Sequence, residues 1–210
     1  MSERPLVAIY ADESCLGNGR EGDNPGGAGG LVEWKNPRTG DLVLRDYWIS
    51  EPGTTNNRMA IRSAIEALRA ISSKAKSFDV VFTSDSQYLV KGGREWLHGW
   101  IRRDFKRKEG PVLNRELWEA LAVEIGQHRI DWRWVRGHAA HPQNEYANEL
   151  ATRAAADQTA SGGLVESGFA AWLEKERGKN RMKRDPDPFP DAASFRPAAP
   201  LPATAGMRQE

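Results

Sequence analysis

The spacing of apolar and polar positions divides the first 160 residues into short runs of two kinds. Leu6–Ala11 is an apolar, β-prone run that leads into a turn-rich stretch, dense in glycine, from Gly17 to Gly30. Leu31–Trp34 and Leu42–Ile49 read as two more strands, parted by the turn signal Asn36-Pro37-Arg38-Thr39-Gly40. From Arg58 to Ile71 the period changes: Ile61, Ala64, Ile65, Leu68 and Ile71 recur at helical spacing. Asp79–Thr83 is a short buried strand and Ser86–Val90 opens a helix. The Trp96–Trp118 stretch is helical with a basic interruption, and Leu117–Ile125 is again amphipathic. Ile130–Val135 is a last strand and Gln143–Ala155 a last core helix. The order β-β-β-α-β-α-α-β-α predicts an antiparallel meander followed by α/β crossovers.

After Gln158 the pattern lapses. Residues 1–158 are expected to form one domain. Residues 159–180 are read as a linker, Ser161-Gly162-Gly163, and an amphipathic helix through Val165, Phe169, Trp172 and Leu173. In residues 181–210 proline and alanine dominate, the composition of a disordered tail. No internal repeat is present.

Composition narrows the function classes. The 210 residues carry a net charge of only +1, so any binding of nucleic acid must rest on local clustering of charge. Cys15 stands alone, which excludes an intrachain disulfide and a cysteine zinc site. No apolar run is long enough to span a bilayer and the N-terminus has no signal-peptide pattern, so a cytoplasmic protein is expected. The segment Gly17-Asn18-Gly19-Arg20-Glu21-Gly22 matches a dinucleotide-binding fingerprint, but no helix follows it, so it reads as a loop.

Asp12 and Asp85 each sit where an apolar strand ends. Carboxylates placed there can share a cleft and bind a hard divalent cation. Taken alone, either Asp is more often a turn or helix-cap residue than a metal ligand. The words around them decide the matter. Thr54-Thr55-Asn56-Asn57-Arg58-Met59, Ser84-Asp85-Ser86-Gln87-Tyr88, Trp134-Val135-Arg136-Gly137-His138 and the run Asn144–Ala151 follow Asp12 in one order. Over residues 5 to 156 the chain closely resembles bacterial ribonuclease H of type one.

That resemblance implies a ribonuclease H-like α/β fold, a five-stranded mixed sheet flanked by helices. It also implies metal-dependent endonucleolytic hydrolysis of the RNA strand of RNA–DNA hybrids, with Mg²⁺ or Mn²⁺ as the cofactor and the hybrid as partner of a monomer. The family holds its metals with an Asp-Glu-Asp-Asp set. The first and third members fall on Asp12 and Asp85, but the Glu falls on Ala60 and the last Asp on Asn148. Asn148 still offers a neutral carbonyl oxygen; Ala60 offers nothing. Two nearby acids are candidates to substitute. Glu13 stands where the family has Gly, although strand alternation should point it away from Asp12 unless the strand bulges. Glu149 follows Asn148 on the last helix and has a longer stem. The rival reading is a hybrid-binding module that has lost cleavage.

By the same resemblance, His138 on its Gly-hinged loop assists proton transfer and product departure. Cys15, Asn18, Thr55, Asn56, Asn57 and Gln87 fall at substrate contacts, the asparagines facing a shallow minor groove lined by 2′-hydroxyls. Thr55 and the asparagines also suit a helix N-cap. Between Lys91 and Lys108 seven basic residues face two acids. Arg102, Arg103, Lys106 and Arg107, interleaved with Trp96, Trp100 and Phe105, match the family's basic protrusion, which grips the DNA strand. Lys175–Arg184 is a second basic run.

Overall fold

The computed structural model describes residues 4–17, 24–72, 76–108, 110–137 and 139–202. Three long antiparallel strands, β1 (Leu6–Cys15), β2 (Gly26–Lys35) and β3 (Leu42–Glu51), form the expected meander. Helix α1 (Asn56–Ile71) crosses to β4 (Asp79–Ser84), which pairs parallel to β1. Helix α2 (Gln87–Lys91), a π-turn at Gly92–Trp96 and α3 (Leu97–Arg102) follow in sequence. A small hairpin, β5 (Lys106–Arg107) and β6 (Gly110–Pro111), leads to α4 (Arg115–Ile125). Strand β7 (Arg129–Trp134) joins β4 in parallel, and α5 (Pro142–Asp157) returns across the sheet.

The sheet has six strands, in the order β7-β4-β1-β2-β3-β8, where five were expected. The sixth, β8 (Val165–Glu166), adds to the outer edge of β3. It comes from the segment read as linker and helix, and the helix, α6 (Phe169–Gly178), starts only after it. Buried Asp46 of β3 anchors this junction. It accepts hydrogen bonds from Tyr146 Oη (2.5 Å), Ser167 Oγ (2.6 Å) and the Gly168 N–H (2.9 Å).

The segment expected to be a disordered tail is described to residue 202, and it is tied to the domain. The Ala198 N–H donates to Ile130 O at 2.9 Å, and the Arg196 N–H to Asp131 Oδ2 at 3.1 Å. Phe189 packs against the cluster that contains Tyr10 and Leu31. Composition misleads here because the attachment is made by a few specific hydrogen bonds, which a Pro/Ala-rich chain makes as well as any other.

Glycine density misleads in the same way at the start of β2. Gly26–Gly30 was expected to be turn, yet it is paired strand throughout. A Cβ on Gly27 would come within 2.2 Å of Ala151 O, and one on Gly29 within 2.6 Å of Leu150 Cβ. The run is therefore the floor on which α5 lies, and its lack of side chains lets helix and sheet backbones meet.

The two faces of β1 carry different partners. Val7, Ile9 and Ala11 pack with Ala60, Ile61 and Ala64 of α1, while Ala8 and Tyr10 pack with Tyr146 and Leu150 of α5. This alternation sets up the site.

Candidate active site

Parallel pairing of β1 with β4 stops at the register Ala11↔Ser84. The next residues, Asp12 and Asp85, bring their carboxylates together: Asp85 lies just past the carboxyl end of β4, and Asp12 lies where β1 runs on to Cys15 without its parallel partner, leaving an open crevice. Asp12 is buried on the α5 face, and Asn144 Nδ2 donates to its Oδ2 at 2.8 Å. Its Oδ1 accepts the Glu13 main-chain N–H at 2.7 Å. The Asp85 main-chain carbonyl accepts the Trp134 indole N–H at 2.9 Å.

Glu13 does not point away. Asp12, Glu13 and Asp85 each bring a carboxylate oxygen to within 4.8 Å of the others. The register of β1 with β2 runs unbroken through Asp12↔Gly29 and Glu13↔Ala28, so no bulge is responsible. Alternation still holds, with Asp12 on the α5 side and Glu13 on the α1 side. What differs is the neighbour. With no β4 residue opposite, both side chains turn round the open edge of β1 toward Asp85, and the longer stem of Glu13 closes the distance. Ala60 is buried on α1 over this same face and leaves it free of a second acid.

Three acids this close repel one another. Burial, and then the charge of Asp85, push Asp12 up to about 8. Burial followed by Asp12 and Asp85 raises Glu13 well above the usual carboxylate range, with a Ser86 hydrogen bond opposing. Oxygen donors under mutual repulsion fit a hard divalent cation, which removes the repulsion when bound. Among the described residues, two buried acceptors, Asn144 Oδ1 and Asn56 Oδ1, have no hydrogen-bond partner, and Asn144 is the one bonded to Asp12.

The other expected site residues divide into groups. Glu149 is exposed and lies outside the three-acid group; with Asn148, which is half-buried, it lines a cleft shared with Trp172, Lys175 and Lys179 of the α6 region. Asn18 and His138 lie outside the described residues. Thr55 is the N-cap of α1, its hydroxyl accepting from the Arg58 N–H at 3.4 Å. Asn57 and Gln87 are exposed and Asn56 is half-buried. Cys15 is half-buried against Ala28, Ile49 and Met59, and burial pushes its thiol up to about 11.

On the protrusion, Arg102, Arg103, Lys106 and Arg107 are exposed, as expected of phosphate ligands. Phe105 is buried in the core at 4% exposed, and Trp100, at 8% exposed, shows only an edge to the groove it lines with Trp96 and Arg107. Trp100 belongs to an aromatic cluster, 5.6 Å from Trp96 and 5.3 Å from Trp118 between ring centres. Trp96 is half-buried and borders a groove with Tyr88, Arg107 and the exposed Leu113. An aromatic within a basic run gives no sign of which way it faces, and here the core needed filling.

Gly137 was read only as a hinge, but it has a second role. A Cβ there would lie 2.3 Å from Asp85 Oδ2, so the loop passes directly over the carboxylate. Gly137→Ala is expected to rotate Asp85 out of the cluster and to lower kcat by about 10- to 100-fold, because ångström-scale misplacement of a reacting group costs that much. Equal kcat values for wild type and variant would refute the close approach.

Comparison with known proteins agrees with this geometry. The RNase H family profile matches residues 4–156. The chain belongs to the ribonuclease H family. Ribonuclease H of Syntrophotalea carbinolica is 44% identical over 163 residues, which cover 77% of this chain and 99% of that protein. Ribonuclease HI of Pseudomonas aeruginosa is 40% identical over 159 residues, covering 75% and 98%. Among solved structures, LC9-RNase H1 is 56% identical, with a TM-score of 0.90 and full coverage of both chains. It is described as a type 1 RNase H with the type 2 active-site motif. The six-stranded sheet is thus this ribonuclease H's version of the family fold.

Proposed function

We propose that this protein is a ribonuclease H that cuts the RNA strand of RNA–DNA hybrids internally, with Mg²⁺ as its working ion and Mn²⁺ as a substitute. One observation carries the reading: the carboxylate missing at Ala60 is supplied at the same crevice by Glu13. The rival reading, a binding module without cleavage, rests on the two non-acidic positions, Ala60 and Asn148, and Glu13 offsets the first of them. A relative described as type 1 with a type 2 active-site motif supports a site whose acids are placed differently.

Bound to these residues, a divalent ion supplies charge neutralisation at the scissile phosphate and an activated water. Asp12, Glu13 and Asp85 would hold it, and Asn148 would offer a neutral oxygen from α5. His138, the next residue in sequence after Gly137, takes the role of proton transfer to the leaving group. Asn56, Asn57, Gln87, Cys15 and Thr55, together with Asn18 by its place in the sequence, are the residues assigned to the hybrid's minor groove. The exposed cations of the protrusion hold the DNA strand beyond it. One chain carries every group this requires, which suits a monomer acting in the cytoplasm. No helix among the described residues is long and apolar enough to cross a membrane.

A hybrid with end-labelled RNA tests the reading. Internal RNA cuts that need a divalent ion and stop in chelator are expected, with the DNA strand intact. An intact RNA strand on fully bound hybrid, in both Mg²⁺ and Mn²⁺, would refute it.

The basic protrusion makes a separate prediction. Changing Arg102, Arg103, Lys106 and Arg107 together to Ala should weaken hybrid binding and flatten its dependence on salt, since fewer counterions are released per complex. Thermal stability should barely change because all four are exposed. A salt slope equal to that of wild type would show that these groups are only solvated surface.

A further inference from the structure

Beyond α6 the chain returns over the start of α5 and meets the active site through three successive hydrogen bonds. Asp187 Oδ2 lies 3.1 Å from His141 Nε2. His141 Nδ1 accepts the Asn144 main-chain N–H at 3.3 Å, which makes His141 the N-cap of α5. Asn144 Nδ2 then donates to Asp12 Oδ2 at 2.8 Å. Asp187 is itself fixed from two sides. Its N–H donates to Gln143 Oε1 at 3.1 Å, and its carbonyl accepts from Gln143 Nε2 at 2.8 Å. Arg184 donates to its second carboxylate oxygen, Oδ1, at 2.6 Å.

The chemistry of imidazole gives this chain of contacts a direction. A neutral histidine has one N–H and one lone pair. To cap a helix it must present the lone pair to a backbone N–H, so Nδ1 must be bare and Nε2 must carry the proton. An acceptor at Nε2 selects that tautomer and fixes the ring plane, as partners of metal-ligating histidines do. Asp187 is the acceptor. His141 is only 4% exposed, so without Asp187 its N–H would lose a partner in a site that water scarcely reaches.

We infer that Asp187 is a positioning residue for the metal site, acting through His141 and Asn144 on Asp12, so that the C-terminal segment is part of the active-site architecture. The inference rests on Asp12 being a metal ligand. It accounts for a segment that lies outside the matched family profile, which ends at residue 156. It also explains why the first turn of α5 is buried: Pro142, Gln143 and Asn144 lie beneath the strap and are screened from competing water.

Three forms of the full chain test it: wild type, Asp187→Ala and Asp187→Asn. Mn²⁺ affinity is measured by calorimetry, and amide exchange of Asn144 by NMR in chelator. Asp187→Ala should weaken Mn²⁺ binding about 10-fold, the scale of removing a metal ligand's outer partner, and speed Asn144 exchange several-fold. Asp187→Asn keeps an acceptor oxygen and should stay within about two-fold of wild type in both, since a hydrogen bond and not charge is what His141 requires. Unchanged exchange and affinity in Asp187→Ala would overturn the inference. So would a loss of thermal stability alone, or an Asn variant as impaired as the Ala variant. A wild type that binds no Mn²⁺ would refute the proposed function instead, and the exchange arm, run without metal, would still decide whether Asp187 governs the start of α5.

Discussion

Glu13→Gln is expected to reduce hybrid cleavage by roughly 10²- to 10³-fold while leaving hybrid binding nearly unchanged. The substitution keeps the shape and removes one of three charges gathered at the crevice. Losing one well-placed electrostatic partner of a transition state costs about 3–4 kcal/mol, which is that factor in rate. Binding should survive because most of the proposed hybrid contacts lie elsewhere, at the starts of α1 and α2 and on the protrusion. Ala60→Glu in the wild-type background should not help, since a second acid would enter the face that Glu13 already occupies. The pair Glu13→Gly with Ala60→Glu returns the carboxylate to α1 and should recover much of the activity lost in Glu13→Gly alone. If Glu13→Gln cleaves like wild type, the third ligand lies elsewhere.

The second large effect is opposite in sign for activity and for stability. Asp85→Asn should abolish cleavage, because no other acid lies on β4 beyond Ser84 to replace it. In chelator the same variant should be more stable than wild type by about 0.5–2 kcal/mol, the usual scale of a single charge-optimising substitution. The charge of Asp85 is among the causes that push both Asp12 and Glu13 up, and the amide removes it. Divalent ions should raise the Tm of wild type, through binding to the folded state alone, and should scarcely move that of Asp85→Asn. Denaturation curves with and without metal measure both effects. A variant less stable than wild type in chelator would mean that Asp85 is chiefly structural.

Much of this was legible in the residues, and the failures share a cause. The meander, the α1 crossover, the parallel β4 and β7 and the final helix follow from periodicity, because each buries one face against a neighbour that follows closely in the chain. Asp12 and Asp85 were legible because strand ends in an α/β sheet open into a crevice. Glu13 was hidden by the alternation rule, which assumes a strand flanked by neighbours along its length; β4 stops one residue short. The glycine run of β2 reads as turn until α5 is laid upon it. Phe105 resembles a ligand contact until burial claims it, while Trp100 packs against Trp118 and keeps only an edge on the groove beside Trp96. The strap at Asp187 depends on contacts between segments more than forty positions apart, and composition says nothing about those.

The central claim is that Asp12, Glu13 and Asp85 together form the metal centre of a working ribonuclease H. A crystal structure with Mn²⁺, located by its anomalous signal, tests it most directly. The account predicts a Mn²⁺ ion within coordination distance, about 2.0–2.4 Å, of carboxylate oxygens from all three residues. A bound ion that leaves Glu13 unligated and takes Glu149 in its place would contradict it.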